Sequence, residues 1–105
     1  MQDDFFTEIR NCKYILRLYV AGSTPQSGRA ITNLKVICET YLKGRYALTV
    51  VDLYKNPGRA MEDQVMVAPT LVRLSPLPVR RVIGDLSKTG QILAALDIVP
   101  TPAQP

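Results

Sequence analysis

Two short β-prone runs, residues 70–74 and 79–83, flank the tetrapeptide Ser-Pro-Leu-Pro at residues 75–78. Proline cannot donate to a strand ladder and suits turns, so this pattern predicts a β-hairpin with a proline-rich connection. Pro69 directly precedes the first run, and its peptide bond is a candidate for the cis isomer, which costs X-Pro bonds only about 0.5–1 kcal/mol. Gly84 then breaks the chain before a helical pattern. The C-terminal part of the chain is therefore predicted to be a hairpin followed by a closing helix.

A strand, a long helix and a second strand are predicted ahead of this hairpin. Residues 13–20 carry apolar side chains on both faces, which is typical of a central strand. One face of this strand holds Tyr14, Leu16, Leu18 and Val20. Thr24 and Pro25 fit the cap and first position of a helix, and residues 46–53 form the next strand. Because crossovers of this length are right-handed, the two strands should be parallel.

A shorter helix should begin at Asn56 and Pro57, again as a cap followed by a first-turn proline. Its inner stripe is predicted to contain Ala60, Met61, Gln64 and Val65. Glu62 and Asp63 are predicted to face water. This helix is the least securely specified element, because it is short and has Gly58 near its start.

The closing helix is predicted at residues 88–98, with Asp85 or Ser87 as its cap. Its apolar side should comprise Ile92, Leu93, Ala95, Leu96 and Val99. The complete order, β-α-β-α-β-β-α, is that of a thioredoxin-like α/β fold. We divide the chain into a flexible leader at residues 1–12, one domain at residues 13–99, and a Pro-rich tail at residues 100–105.

Composition limits the functional classes that fit these 105 residues. No run approaches the roughly 20 apolar residues of a membrane helix, and the N-terminus carries acids where a signal peptide needs positive charge. We therefore expect a cytoplasmic protein with no membrane contact. The net charge is +4, but its basic residues are scattered instead of interleaved with aromatics, so we expect no nucleic-acid partner.

The residues offer no evident catalytic machinery. There is no histidine, and the two cysteines, Cys12 and Cys38, are too few for a zinc site and too far apart for a C-x-x-C pair. Thioredoxin-like enzymes hold their thiols at the start of the first helix, where this chain has Ser23 and Ser27. We predict no catalytic residue, metal or cofactor. A thioredoxin-like redox protein without the usual C-x-x-C remains the alternative, and a self-assembling structural protein is a third hypothesis.

Several stretches of the chain form a specific pattern when they are taken together in this order. They are residues 14–22 (Y-I-L-R-L-Y-V-A-G), 24–25 (T-P), 46–48 (Y-A-L), 55–57 (K-N-P), 68–71 (A-P-T-L) and 76–87 (P-L-P-V-R-R-V-I-G-D-L-S). Together they resemble the family of the circadian clock protein KaiB. The similarity spans about residues 14–99, which is most of the chain. The last two stretches are the most specific.

The resemblance implies a non-catalytic regulator that binds other proteins. Members of the family dock on the N-terminal ring of the hexameric ATPase KaiC and oppose its phosphorylation by drawing off KaiA. A clock-output histidine kinase competes for the same ring. The family is also metamorphic, since its second half adopts either the thioredoxin-like arrangement or a ground state with the order β-α-β-β-α-α-β. We accordingly expect a homo-oligomer, dimer or tetramer, that serves a circadian clock or a related stress-adaptation system.

The resemblance and the charge pattern together suggest which residues carry this role. Four basic residues are predicted to meet the partner, helped by two residues that position the second helix: Arg29, Lys55, Arg80 and Arg81, with Asn56 and Pro57. The predicted structural or switch residues are Pro69, Gly84, Asp85, Ala95 and Asp97. Many clock members have glycine at the position of Ala95. Because alanine favours helix over glycine by about 1 kcal/mol, we predict a bias toward the thioredoxin-like arrangement.

Overall fold

Four strands form one mixed sheet in the computed structural model, which describes residues 14–98. They are β1 (Tyr14–Val20), β2 (Tyr46–Asp52), β3 (Thr70–Ser75) and β4 (Arg80–Ile83). The three helices are α1 (Pro25–Tyr41), α2 (Pro57–Glu62) and α3 (Thr89–Ala95). This order confirms the predicted thioredoxin-like β-α-β-α-β-β-α arrangement.

The strands lie in the order β2-β1-β3-β4. As predicted, β1 and β2 are parallel, with Tyr14 opposite Tyr46 and Val20 opposite Asp52. On its other side β1 pairs with β3 in antiparallel fashion, and β4 extends the hairpin antiparallel to β3. The predicted central position of β1 is confirmed, and β2 and β4 form the two edges.

The larger core lies between the sheet and helices α1 and α3. The Thr24 hydroxyl accepts a hydrogen bond from Ser27 N at 3.3 Å, which confirms the predicted cap, and Pro25 occupies the first turn. Helix α1 then buries its apolar stripe against the face of β1 that holds Tyr14, Leu16, Leu18 and Val20. This core comprises Tyr14, Leu16, Leu18, Val20, Ala30, Leu34, Ile37, Cys38, Leu42, Leu71, Leu86, Ile92, Leu96 and Ile98.

The opposite face of the sheet carries a smaller core under α2. It contains Tyr19, Val51, Ala60, Val65 and Val72. The predicted burial of Ala60 and Val65 is confirmed. Met61 and Gln64 were assigned wrongly to the inner stripe, since both are exposed and Met61 is 78% exposed. Because α2 has only six residues, it covers part of this face, which we call the α2 face.

The proline-rich hairpin forms where the sequence predicts it. The Ala68–Pro69 peptide bond is cis, as expected, and the Ser75–Pro76 and Leu77–Pro78 bonds are cis as well. Pro69 is fully buried, and its carbonyl accepts a hydrogen bond from Gly84 N at 3.0 Å. Two of the predicted structural residues therefore face each other where β3 begins and β4 ends.

The start of α3 differs from the prediction. Neither Asp85 nor Ser87 caps this helix, because Lys88 occupies the cap position and makes no side-chain capping bond. Asp85 Oδ1 instead accepts a hydrogen bond from Ser87 N at 3.1 Å and closes a turn ahead of the helix. Ala95 was also placed wrongly on the apolar side, since it is exposed.

Some expectations fall outside the described residues. The leader at residues 1–12, the tail at 100–105, and the domain limits at 13 and 99 cannot be compared with the structure of residues 14–98. Among the described helices, none has the length and apolar character needed to cross a membrane.

Candidate protein-docking surface

An ionic contact fixes the end of α2 to the sheet. Asp63 Oδ2 lies 2.6 Å from Arg17 Nη1 on β1, and the Tyr19 hydroxyl donates to the same oxygen at 2.6 Å. The Tyr19 oxygen also lies 3.0 Å from the carbonyl of Arg59. The prediction that Asp63 faces water is therefore wrong, since its side chain is only 12% exposed.

These contacts change the titration of all three groups. Burial alone would raise the pKa of Asp63, but the hydrogen bonds from Tyr19 and Arg17 outweigh burial and hold its pKa below the usual value. Burial, together with the Asp63 carboxylate, raises the pKa of Tyr19. Burial opposes the charge on Arg17, yet its bonds to Asp63 and Tyr19 leave its pKa raised. Asp63 is consequently ionised at neutral pH and anchors α2.

A mainly apolar groove of about 230 Å³ lies beside this anchor, between the segment that follows α2 and β4. Its lining residues are Gln64, Val65, Met66, Val67, Thr70, Arg81 and Ile83. Three of the apolar side chains are open to solvent, with exposures of 85% for Met66, 69% for Ile83 and 47% for Val67. We call this set of lining residues the docking groove.

Arg81 forms the basic wall of the docking groove. It lies opposite Val72 in the β3–β4 register, which places it on the α2 face. Its Nε donates to Asp63 O at 3.0 Å, and Nη2 donates to Gln64 Oε1 at 3.4 Å. The guanidinium therefore ties β4 to the segment after α2 while its side chain remains exposed.

Two of the predicted residues, Lys55 and Asn56, lie in the turn between β2 and α2, and Pro57 is the first residue of α2. Lys55 and Asn56 donate their backbone N–H groups to Asp52 O at 3.2 and 3.0 Å. Asn56 precedes Pro57 at the cap position but forms no side-chain cap, since its Nδ2 donates to Asp52 O at 3.1 Å. Asn56 thus orients the start of α2 through its bond to Asp52 O and not through the predicted capping bond. The side chain of Lys55 is exposed.

Arg29 and Asp85 contact each other away from the docking groove. Arg29 Nε lies 3.3 Å from Asp85 Oδ2, and Asn33 Nδ2 donates to Asp85 O at 2.8 Å. The bonds from Ser87 and then Arg29 lower the pKa of Asp85. This network joins the β4–α3 loop to α1, so Arg29 already has an acidic partner within the chain.

The remaining predicted residues are distributed over the other side of the sheet. Arg80 lies opposite Arg73, whose side chain reaches the end of α3, so Arg80 belongs to that face. Ala95 is the last residue of α3, and Asp97 follows it with a φ of 55°. A second concavity of about 290 Å³ lies there and includes Gly84, Asp85 and Ala95 in its lining. The structure thus brings Arg81 to the docking groove but places Arg29 and Arg80 elsewhere.

The position of thioredoxin-type thiols contains hydroxyl groups that stabilise the turn. Ser27 is buried, and its hydroxyl accepts a hydrogen bond from Ala21 N at 3.0 Å. Cys38 is fully buried in the larger core. Burial and the neighbouring Glu39 raise the pKa of the Cys38 thiol to about 12, so the reactive thiolate is scarce at neutral pH. Cys12 lies outside the described residues.

Sequence reasoning missed the apolar part of this surface. Met66 and Val67 come before Pro69 in a segment that the sequence did not assign to an element, and Ile83 was treated only as part of a strand. The alternation of Arg81 and Ile83 was the available signal, since residues two apart in a strand share a face. The sequence predicts that α2 is short, but it does not indicate which apolar residues a helix of six residues leaves uncovered.

Comparison with known proteins gives the family. A model of the KaiB domain matches residues 17–98. The chain is a member of the KaiB family. The circadian clock oscillator protein KaiB of a Prochlorococcus marinus strain is 54% identical over 86 residues, which cover 82% of this chain and 74% of that protein. The KaiB of Synechococcus elongatus is also 54% identical over 86 residues, covering 82% and 84%. These relatives support a regulatory role in a clock for this KaiB-family protein.

Solved structures confirm the thioredoxin-like fold. The N-terminal domain of SasA from Synechococcus elongatus superposes with a TM-score of 0.65 at 19% identity, covering 82% of this chain and 85% of that one. Mitochondrial thioredoxin 3 from Saccharomyces cerevisiae gives a TM-score of 0.66 at 18% identity, covering 91% and 89%. At such identities the likeness concerns the fold alone.

Proposed function

We propose that this KaiB-family protein is a non-catalytic regulator that binds a KaiC-type ATPase ring through the docking groove and thereby modulates the phosphorylation state of the ATPase. The observation that carries the proposal is the cluster of exposed Met66, Val67 and Ile83 on a face that α2 leaves open. Exposed apolar clusters with polar surroundings are typical of protein-binding sites. The family membership supplies the class of partner.

The charges around the groove favour a partner surface with an apolar centre and acidic groups beside it. Arg81 lines the groove, and Lys55 and Arg59 are exposed near the ends of α2. Such charges steer association and set the register of a complex more than they add affinity. We therefore assign the main binding energy to the apolar residues and a smaller, salt-dependent part to the basic ones.

The other partners follow from the same role. We propose that KaiA is drawn into the complex, that a clock-output histidine kinase competes for the ring, and that the free protein is a dimer or tetramer in the cytoplasm. The system is either a circadian oscillator or a related stress-adaptation system. The two are distinguished by following the phosphorylation state of the KaiC-type ATPase over time in cells that lack the gene for this protein.

The proposal is tested with a purified KaiC-type ATPase and variants of the groove. Ile83→Asp and Met66→Asp each place a charge where an apolar contact is expected, and each should weaken binding by at least about tenfold, as loss of a central interface residue does. Val36→Asp is the matched control, because Val36 is 60% exposed on α1. It should bind within about twofold of the parent protein.

The opposite result would overturn the assignment of the surface. If both groove variants fold normally by circular dichroism and bind as tightly as the Val36→Asp control, the docking groove is not the contact. Measurable turnover in an insulin-reduction assay, lost in a Cys38→Ser variant, would favour the redox alternative instead.

A further inference from the structure

Arg73 is a fully buried arginine that donates hydrogen bonds to backbone carbonyls of two separate segments. It lies on β3, is only 1% exposed, and is the largest of the fully buried side chains. Its Nη1 donates to Leu96 O and lies 3.5 Å from Asp97 O, while Nη2 donates to Pro78 O at 2.6 Å. All three acceptors are backbone carbonyls.

No carboxylate is bonded to Arg73 within residues 14–98, where the ion pairs join Arg17 to Asp63 and Arg29 to Asp85. Its Nε also has no hydrogen-bond partner there. Taking a charge out of water costs several kcal/mol unless other groups compensate for the lost hydration. In the described structure, the hydrogen bonds to the three carbonyls compensate for the hydration that the guanidinium loses. The positions of these carbonyls and of the guanidinium therefore depend on each other.

The acceptors belong to two separate segments. Pro78 is in the connection between β3 and β4, whereas Leu96 and Asp97 follow the last turn of α3. That helix has seven residues and no basic residue in its last turn. Arg73 therefore supplies the positive charge that favours the C-terminal end of a helix, and it joins that end to the hairpin.

We propose that Arg73 is a positioning residue that holds α3 and the β3–β4 connection to the sheet as one unit, and that this unit sets the position of β4 beneath the docking groove. The link runs through β4, because Arg80 lies opposite Arg73 while the next residue, Arg81, lines the groove on the other face. Only the effect on docking rests on the proposed function, since the contacts of Arg73 hold whether or not the groove binds a partner.

Native-state hydrogen exchange tests the structural part. The amides of Leu96 and Ile98 donate to Ile92 O and Leu93 O in the α3 region, and Gly84 N donates to Pro69 O beside β4. In Arg73→Met these three amides should exchange at least about tenfold faster, because hydrogen bonds to a charged group are stronger than those between neutral groups. Leu53 N, which bonds to Val20 O across β1 and β2, should change much less.

Arg17→Met is the matched control, because Arg17 holds α2 from the neighbouring strand. In Arg17→Met, amide exchange should accelerate at Asp63 and Val65, whose N–H groups donate to Arg59 O and Ala60 O. It should not accelerate at Leu96 or Ile98. Equal acceleration of Leu53 and Leu96 in Arg73→Met, or no acceleration at all, would overturn the proposal.

Hydrogen exchange of the parent protein tests the same proposal without a substitution, and so applies even if Arg73→Met does not fold. In low denaturant, Leu96, Ile98 and Gly84 should approach one common opening free energy, below that of Leu53, since they belong to one unit. Distinct opening free energies for Leu96 and Gly84 would contradict the proposal.

The docking part is tested by the affinity of Arg73→Met for the KaiC-type ATPase. Arg73 is too buried to touch a partner, so a loss of at least about threefold would support its action through β4. An unchanged affinity, alongside weakened binding by Ile83→Asp, would overturn the link to docking but leave the groove intact. Unchanged binding by Ile83→Asp itself would instead count against the proposed function.

Discussion

The first and second halves of the domain are stabilised by different means. Residues 14–52 combine two paired seven-residue strands with a seventeen-residue helix that is capped by Thr24 and packed through a continuous apolar stripe. Residues 57–98 contain helices of six and seven residues, without side-chain capping bonds at their N-termini, and a four-residue strand at the sheet edge. The second half also contributes apolar residues to the core, such as Leu71, Ile92 and Leu96, but its short elements are held in addition by polar side chains that reach across the fold.

Arginine provides most of those long-range contacts. Arg17 binds the end of α2, Arg73 binds the end of α3, Arg81 binds the segment after α2, and Arg29 binds the loop before α3. Apolar packing is spread over many atoms, whereas each of these contacts depends on one side chain. We therefore expect single polar substitutions to loosen the second half locally, while the first half yields only to changes in its core.

The largest expected effect is the removal of core volume from the first half. Leu34→Ala should lower the free energy of unfolding by about 2–5 kcal/mol, since Leu34 is fully buried on α1. Urea denaturation measures this change. Val36→Ala, two residues away but 60% exposed, is the control and should change stability by less than about 0.5 kcal/mol. Equal effects would show that packing is not what stabilises this half.

A smaller and more local effect is expected at the end of α2. Asp63→Asn should cost about 1.5–3 kcal/mol, because it weakens the charged hydrogen bonds to Arg17 and Tyr19. Hydrogen exchange should show the loss at residues 63–65 before it appears in β1 or β2. Glu62→Gln is the control, because Glu62 is the neighbouring acidic residue and its side chain is exposed. This substitution should leave the free energy of unfolding nearly unchanged. If the two substitutions act alike, the anchor at Asp63 is not important for α2.

The cap of α1 should contribute less than either. Thr24→Ala removes the acceptor for Ser27 N and should destabilise the protein by about 1 kcal/mol. Thr32→Ala is the control, at an exposed position within the same helix. It should not destabilise the protein, because alanine favours the helix interior. Chemical denaturation of both variants measures the difference, and a destabilising Thr32→Ala with a neutral Thr24→Ala would contradict the assignment of the cap.

Lowering the pH should have a smaller effect on stability than these substitutions, because protonation removes the charge of Asp63 but leaves its oxygen atoms in place. The folded-state pKa of Asp63 is lowered, so its contribution is complete above the unfolded-state pKa of about 3.9 and is lost as pH falls through the folded value. Stability should therefore decline below about pH 4. The decline should be shallower in Asp63→Asn, and an identical slope would mean that Asp63 titrates normally.

Patterns that repeat along the chain predicted the fold well, whereas contacts between distant residues could not be predicted. The alternation of Leu16 and Leu18 and the Thr24-Pro25 start of α1 are local signals, and both were confirmed. Asp63 was predicted to face water because it follows Glu62 on a short polar helix. Its partner Arg17 lies 46 residues away, and only the packing of α2 on β1 brings them together.

Arg73 shows the same limit more strongly. A charged residue in a strand is usually placed on the solvent side, and its acceptors are carbonyls that the sequence does not distinguish from any others. The exposed cluster of the docking groove was missed because it depends on how little of the sheet α2 covers. Arg81 was predicted as a contact residue from the resemblance and the charge pattern together. It lines the groove, and its contact with a partner stays a prediction.

The central claim is that this KaiB-family protein acts through the docking groove of its second half. The most direct measurement is an NMR titration of the isotope-labelled protein with a KaiC-type ATPase, in which amide signals at the contact lose intensity. The losses should concentrate at residues 61–67 and 81–83, with α1 unaffected. Losses confined to α1 or to the outer edge of β2, with signals from the groove unchanged, would contradict the claim.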